Sequence, residues 1–425
     1  MKLKKLSILL ITAVVILLGF SNNTKVVVLE NENKEEWIAD IEYFKTELEK
    51  NHKNPFSKIS KEEFENEISI LLKDLPYLQE NEVIVRLMEI TQKIGDSHTH
   101  IGMYTPSIDF HYFPLNFNYF SDGLYVISAS KEYADLVGLK LEKINDYSIE
   151  EIDERIKKII PHENTYYLKT IIPLYIRIPE ILEALDLLEN NKNTKFYFKN
   201  TKTGEVLSKN LSAEKDWSLI GNNWINFIKK FNIQPPLYLK NTDPYWYEYL
   251  PDTNILFVRY ASCYEKKDQT FKDFTEELFE VAEDKPVKYM IVDLRYNSGG
   301  FRELFRDYFL PKIEASPLNQ KGKLFFITNN YTFSSGVWAA VDLAKNTNAT
   351  SLGEPTGNKP NHFGLSGKFS LPNSKIQISY SKEYWHLIDS DIDAFYPEIE
   401  IPTTSEDFLN GSDPIMNYIL EEFIK

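Results

Sequence analysis

The sequence predicts a mixed α/β fold in several parts, on three observations. From about residue 34 to 94, apolar residues recur three and four apart, the period of helices. From 112 to about 213, short strand-like runs take over, and from Asn254 onward strands and helices alternate, as a layered α/β core requires. At 425 residues, 43% hydrophobic and 26% charged, the chain suits two or three domains better than one enlarged core.

The elements follow in order. Lys2, Lys4 and Lys5 precede an uncharged apolar run over 6–20, and Ser21, Asn22 and Asn23 follow it at once. That is the layout of an export signal, so residues 1–23 are expected to be a signal peptide or an N-terminal membrane anchor. The folded part is therefore expected outside the cytoplasmic membrane, secreted or anchored to its outer face. Residues 24–111 read as a helical domain, with periodic stretches such as 37–48 and 83–90, ending in the polar turn Gly95-Asp96-Ser97-His98-Thr99-His100. Residues 112–213 combine strands near 123–127, 138–144 and 195–198 with a helix over 149–160, the outline of a compact peptide-binding module. Residues 214–245, with Pro235 and Pro236, read as a linker. Residues 246–425 form the α/β core, with strands over 255–260, 289–294 and 323–328 and a helix over 269–282. The turn 297–300 leads to a helix near Glu303, and the turn 329–332 to one running from Ser334 to about Asn346.

Composition narrows the function. A formal charge of −15 repels phosphate backbones and argues against a nucleic-acid partner. The single cysteine, Cys263, forbids an internal disulfide and has no metal-ligand spacing around it, so a buried thiol is expected, with no metal and no cofactor. The 26 tyrosines and 27 phenylalanines suit contact with extended peptide as well as ordinary core packing.

Two strand-turn-helix units stand next to each other in sequence, one turning at Gly299-Gly300 and the other opening its helix with Ser334-Ser335-Gly336. A helix start presents unpaired N–H groups and a partial positive charge, which stabilise an oxyanion without any side chain. Glycine lets the backbone come close to a substrate carbonyl. A serine alone at such a place is a helix cap, and Gly-Gly alone is a turn. Together they suggest acyl transfer to a serine.

Three blocks, Val292-Asp-Leu-Arg-Tyr-Asn-Ser-Gly-Gly300, Tyr331-Thr-Phe-Ser-Ser-Gly336 and Gly353-Glu-Pro-Thr-Gly-Asn-Lys359, resemble those of the tail-specific (C-terminal-processing) serine peptidases, the family that includes the tricorn core. The resemblance spans roughly 246–402. It implies a crotonase/ClpP-like peptidase core and makes 112–213 look like a diverged PDZ-like domain. It also implies a nucleophile 25 positions before Lys359, which is Ser334, with Ser335 as the competing choice. The oxyanion hole would then use Gly299 or Gly300 together with Ser335. Two bases are open. Lys359 is the residue of a serine–lysine dyad, although Phe363 stands where that branch has glutamine. The Gly-Asp-Ser-His motif instead resembles the tricorn-like branch, making His98 the base and Ser97 its helper. The acid of that branch falls at Asp391, with Asp389 and Asp393 close by. Because an ordinary imidazole is mostly neutral at pH 7 and an ordinary amine is not, Ser334, His98 and Asp391 are preferred, with Lys359 structural or substrate-facing. The expected activity is hydrolysis of peptides or unfolded chains. The alternatives are the lysine dyad or a non-catalytic ligand binder on the same fold.

Overall fold

The computed structural model describes residues 31–103, 107–189, 194–215 and 224–424, so the reading of residues 1–23 falls outside it. Among the described residues no helix is long and apolar enough to cross a membrane. The chain opens with helices α1 (Asn31–Asn51), α2 (Lys61–Asp74) and α3 (Glu80–Ile94). At the start of α2, the Ser60 hydroxyl accepts the Glu63 N–H while the Glu63 carboxylate accepts the Ser60 N–H, a reciprocal cap. α3 stops at Gly95, whose φ of 72° lies in the left-handed region a side chain disfavours. The chain then turns and enters β1 (His100–Ile101), which pairs antiparallel with β15 (Gln377–Trp385). β15 in turn pairs with β14 (His362–Ser370), completing a three-stranded sheet of order β1-β15-β14. This small sheet brings the polar turn after α3 to the C-terminal half of the chain.

A second sheet holds β2 (Leu115–Phe120), β3 (Gly123–Ser130), β4 (Lys140–Ile144), β6 (Thr194–Lys199) and β7 (Val206–Leu211) in that order, with β5 (Tyr147–Ser148) beside β4. The stretch 214–245 is not merely a connection. Its β8 (Trp224–Asn226) pairs antiparallel with β3, and Tyr238 is buried. Three residues are too few to show a period, so the sequence conceals this strand. The helical region and the second sheet share one hydrophobic core, which also takes in Leu371, Ile376 and Ile378 from the hairpin.

The third sheet runs β16 (Ile399–Glu400), β13 (Thr350–Gly353), β12 (Leu324–Thr328), β11 (Tyr289–Asp293), β10 (Ile255–Tyr260) and β9 (Tyr245–Leu250). Its neighbours are parallel except at the β9 edge. β10 and β12 are buried throughout, because both faces of the sheet are covered. Leu256, Val258, Met290 and Phe326 fill one side, and Ile255, Phe257, Ile291 and Phe325 meet Ile415 and Ile419 on the other. Since β11 and β12 are parallel, the turns that follow them leave the same end of the sheet. Just beyond β11, the buried Arg295 guanidinium donates to Asp413 at 2.7 and 3.1 Å and also to Asp293, fixing the approach to the first turn.

Candidate active site

At that end of the sheet, helix α5 (Ser335–Asn346) begins directly after Ser334. Ser334 has φ 51° and ψ −124°, a conformation that costs a non-glycine residue about 1–3 kcal/mol. The neighbouring turn packs against it so closely that a Cβ built on Gly299 would lie 2.7 Å from Ser334 Cβ and 3.1 Å from Oγ. Gly299 and Gly300 have φ of 99° and 132°, so both positions need glycine on conformational grounds as well. Asn297 organises the turn. Its Oδ1 accepts the Gly299 N–H at 2.9 Å, and its backbone carbonyl accepts the Phe333 N–H at 2.8 Å. With Gly299 committed, the candidate oxyanion donors are the N–H groups of Gly300 and Ser335. Ser335 itself is buried, and its hydroxyl donates to the Gly300 carbonyl at 2.7 Å. Cys263 is buried behind the turn, and burial pushes its thiol up to about 12.

His98 reaches this place from the turn after α3. Its ring lies 4.7 Å from the ring of Phe333, the residue before Ser334, and stacks at 5.6 Å on His362. The ring is buried, and neither nitrogen has a hydrogen-bond partner among the described residues. Burial lowers its pKa to about 4, against the opposing pull of Asp96. Asp96 Oδ1 stands 3.8 Å from His98 Nδ1 and accepts the His98 backbone N–H at 2.9 Å. Its other oxygen accepts from Thr99 Oγ1 at 2.6 Å and from His52 Nε2 at 3.1 Å. His52 must donate from Nε2, because its Nδ1 accepts the Asn54 N–H. Burial works against the Asp96 charge, but the bonds from His52 and Thr99 and the nearby His98 hold it well below the usual carboxyl range.

Two further residues at the site are not evident from the sequence reading. Glu163, just before helix α4 (Thr165–Tyr175), has a buried Oε1 without a hydrogen-bond partner among the described residues, and one donor atom from each of Glu163, His98 and Asp96 lies within 4.8 Å of the others. Such a cluster could hold a metal ion or, by itself, serve as an acid–base group around the ring. Burial first, and then the charge of Asp96, raise Glu163 to about 8. Asn358 joins this carboxyl to Ser334: its Nδ2 donates to Glu163 Oε2 at 3.3 Å and its Oδ1 accepts the Ser334 N–H at 3.3 Å. Asn358 stands inside the Gly-Glu-Pro-Thr-Gly-Asn-Lys block, a signal that was present. For Glu163 the only hint was a polar His-Glu-Asn run between two helices. His362 donates from Nδ1 to the Lys359 carbonyl, leaving a buried Nε2 without a partner among the described residues, and burial lowers its pKa to about 3.

The expected acid is placed elsewhere. Asp391 is exposed and forms a short ion pair with Lys359, which holds the carboxyl below its usual range, and among the described residues no ion pair joins it to His98. Asp393 accepts from the Tyr396 hydroxyl at 2.7 Å, and Asp389 is exposed. A loop rich in acids can meet several partners, and here the nearest cation, Lys359, takes Asp391. The acids at the ring are Asp96, two residues from His98 in sequence, and Glu163. Lys359 is consequently committed to a carboxylate. Ser97 is buried beside His98, and its hydroxyl has no hydrogen-bond partner among the described residues.

No family model and no curated protein matches this chain. Solved structures do. Mature CPAF in complex with lactacystin is 12% identical, with a TM-score of 0.62 over 91% of this chain and 97% of that one. Mature CPAF alone is 13% identical, with a TM-score of 0.61 over 91% and 96%. A photosystem II D1 C-terminal processing protease is 12% identical, with a TM-score of 0.43 over 89% and 98%. For the two CPAF structures the likeness is one of fold. It covers nearly the whole of both chains, so the mixed helix and sheet architecture of this chain is similar to that of CPAF.

Proposed function

We propose that this chain is a serine peptidase in which Ser334 is the nucleophile, His98 its base and Asp96 the acid that orients the ring. The observation that carries the reading is the contrast between adjacent serines: Ser334 is held in a left-handed conformation against Gly299, while the hydroxyl of Ser335 is spent on Gly300. In the reaction, the Ser334 Oγ–H proton passes to His98, Oγ bonds to the peptide carbon, and the carbonyl electron pair becomes an oxyanion facing the Gly300 and Ser335 N–H groups. Collapse of that intermediate breaks the C–N bond, and the amine leaves with the proton from His98. Water then repeats the sequence on the acyl-serine and frees the acid.

The buried, neutral ring of His98 suits a base at neutral pH, and Lys359 is instead paired with Asp391. The three sequence blocks support the same reading, as does the CPAF-like fold. Substrates on this proposal are peptides or unfolded chains, met outside the cytoplasmic membrane because residues 1–23 have the layout of an export signal. The sheet from β2 to β8 is proposed as the PDZ-like module that holds an extended segment. Labelling by a fluorophosphonate probe, together with cleavage of an unfolded fluorescent protein, tests the activity. Both are expected in the wild type and neither in Ser334→Ala; a wild type that does neither is a ligand binder on this fold.

A further inference from the structure

Next to the proposed triad lies a cavity of about 290 Å³ with largely apolar walls. One wall is a single face of α4, where Tyr167, Ile171 and Leu174 recur at helical spacing. Ile101 in β1, Met103 just after it and Ser97, which precedes His98, also line it, together with the polar side chains of His100, Lys368 and Gln377. Ile171 and Leu174 are only half-buried, so the fold leaves apolar surface facing this space. The cavity is coupled to the nucleophile through aromatic contact: the Tyr167 ring stacks at 4.9 Å on Phe333, which lies 4.7 Å from the His98 ring and precedes Ser334.

The strand beside it suits a peptide. β1 lies at the outside of its sheet and pairs, among the described residues, only with β15. An extended segment laid along such an edge points alternate side chains to one face, roughly 6.5–7 Å apart. A side chain close to the bond held at Ser334 can thus enter the cavity while the backbone continues along the sheet edge. The volume and the aliphatic and tyrosyl groups of the walls suit a large apolar side chain, and a cationic one is disfavoured because it would meet the Lys368 ammonium.

We propose that this cavity is the specificity subsite for a large apolar side chain, such as leucine, methionine or phenylalanine, flanking the cleaved bond; the inference rests on the peptidase reading above. The test is digestion of a mixture of unrelated unfolded proteins by the full chain, with the new termini sequenced by mass spectrometry. Wild type is expected to enrich large apolar residues at one fixed position beside the cut. Ile171→Trp, which fills the cavity, is expected to shift that same position toward alanine, glycine and serine, lowering the large-to-small ratio at least tenfold. Ile171→Ala, which enlarges it, is expected to shift the position toward aromatic residues, and this second variant keeps the test decisive if tryptophan prevents folding. Cleavage that depends on Ser334 but shows no apolar preference, or a preference unmoved by both variants, overturns the subsite and leaves the peptidase standing. Absence of any cleavage that Ser334→Ala abolishes overturns both.

Discussion

The hydroxyl of Ser335 donates to the carbonyl of Gly300 at 2.7 Å, tying the start of helix α5 to the turn that faces Ser334. On the proposed mechanism the two adjacent serines have different work, Ser334 reacting and Ser335 holding an oxyanion donor in place. Ser334→Ala is expected to abolish probe labelling and peptide hydrolysis while changing stability by no more than about 1 kcal/mol, since its side chain makes no cap bond. Ser335→Ala should still be labelled, with a turnover lowered by about tenfold to a thousandfold as the Gly300 peptide loses its tether. Labelling that survives Ser334→Ala and disappears in Ser335→Ala would exchange the two roles.

The acids can be separated in the same assay. Asp96→Asn is expected to lower kcat by about 10³–10⁴-fold, because the ring loses the carboxylate facing Nδ1. Asp391→Asn should stay within a fewfold of wild type, since its partner is Lys359. The reverse pattern would restore Asp391 to the triad and require the loop to move.

Activity should persist unusually far into acid. Burial sets the His98 pKa near 4, so the acid limb of kcat/KM is expected near pH 4, well below the ordinary imidazole range. Phe333→Ala, which uncovers the ring, should move that limb upward. The same burial affects folding: in the unfolded chain the ring binds a proton at about pH 6.5, in the native state only near 4, so stability held above pH 6.5 is lost as pH falls between those values. An acid limb near pH 6.5 in the wild type would mean that the ring is solvated in the working enzyme.

Glu163 has the opposite sign. Its carboxyl keeps its proton in the native state up to about pH 8, whereas in the unfolded chain it ionises near 4.5, so it costs stability increasingly as pH rises from 4.5 toward 8. Glu163→Gln should thus melt closer to, or above, the wild type as pH rises through that window, read by calorimetry at pH 5 and pH 8. A melting difference independent of pH would show that Glu163 is not held protonated.

Asp413 is the structural counterpart of these residues. It binds the Arg295 guanidinium through both oxygens and caps the last helix through the N–H groups of Ile415 and Met416. Asp413→Ala leaves a buried cation short of a partner and should cost about 3–5 kcal/mol in denaturant unfolding. A loss below about 1 kcal/mol would show that water replaces the carboxylate.

The sequence by itself determined what repeats locally. Helical spacing marked 34–94 as helical, apolar runs located β10, β11 and β12 of the α/β core, and the turn chemistry of Gly299-Gly300 and Ser334-Ser335 marked the place where an oxyanion could form. These signals are legible because each depends on neighbours a few residues away. The three-residue strand β8 is too short for any period and vanished into an apparent linker. What only the tertiary structure decided is which distant groups meet: β1 pairing with β15 carries His98 to Phe333, Asn358 joins Ser334 to Glu163, and Lys359 captures Asp391. Such contacts are set by sheet register and by competition among partners, and neither is written in the spacing of residues along the chain.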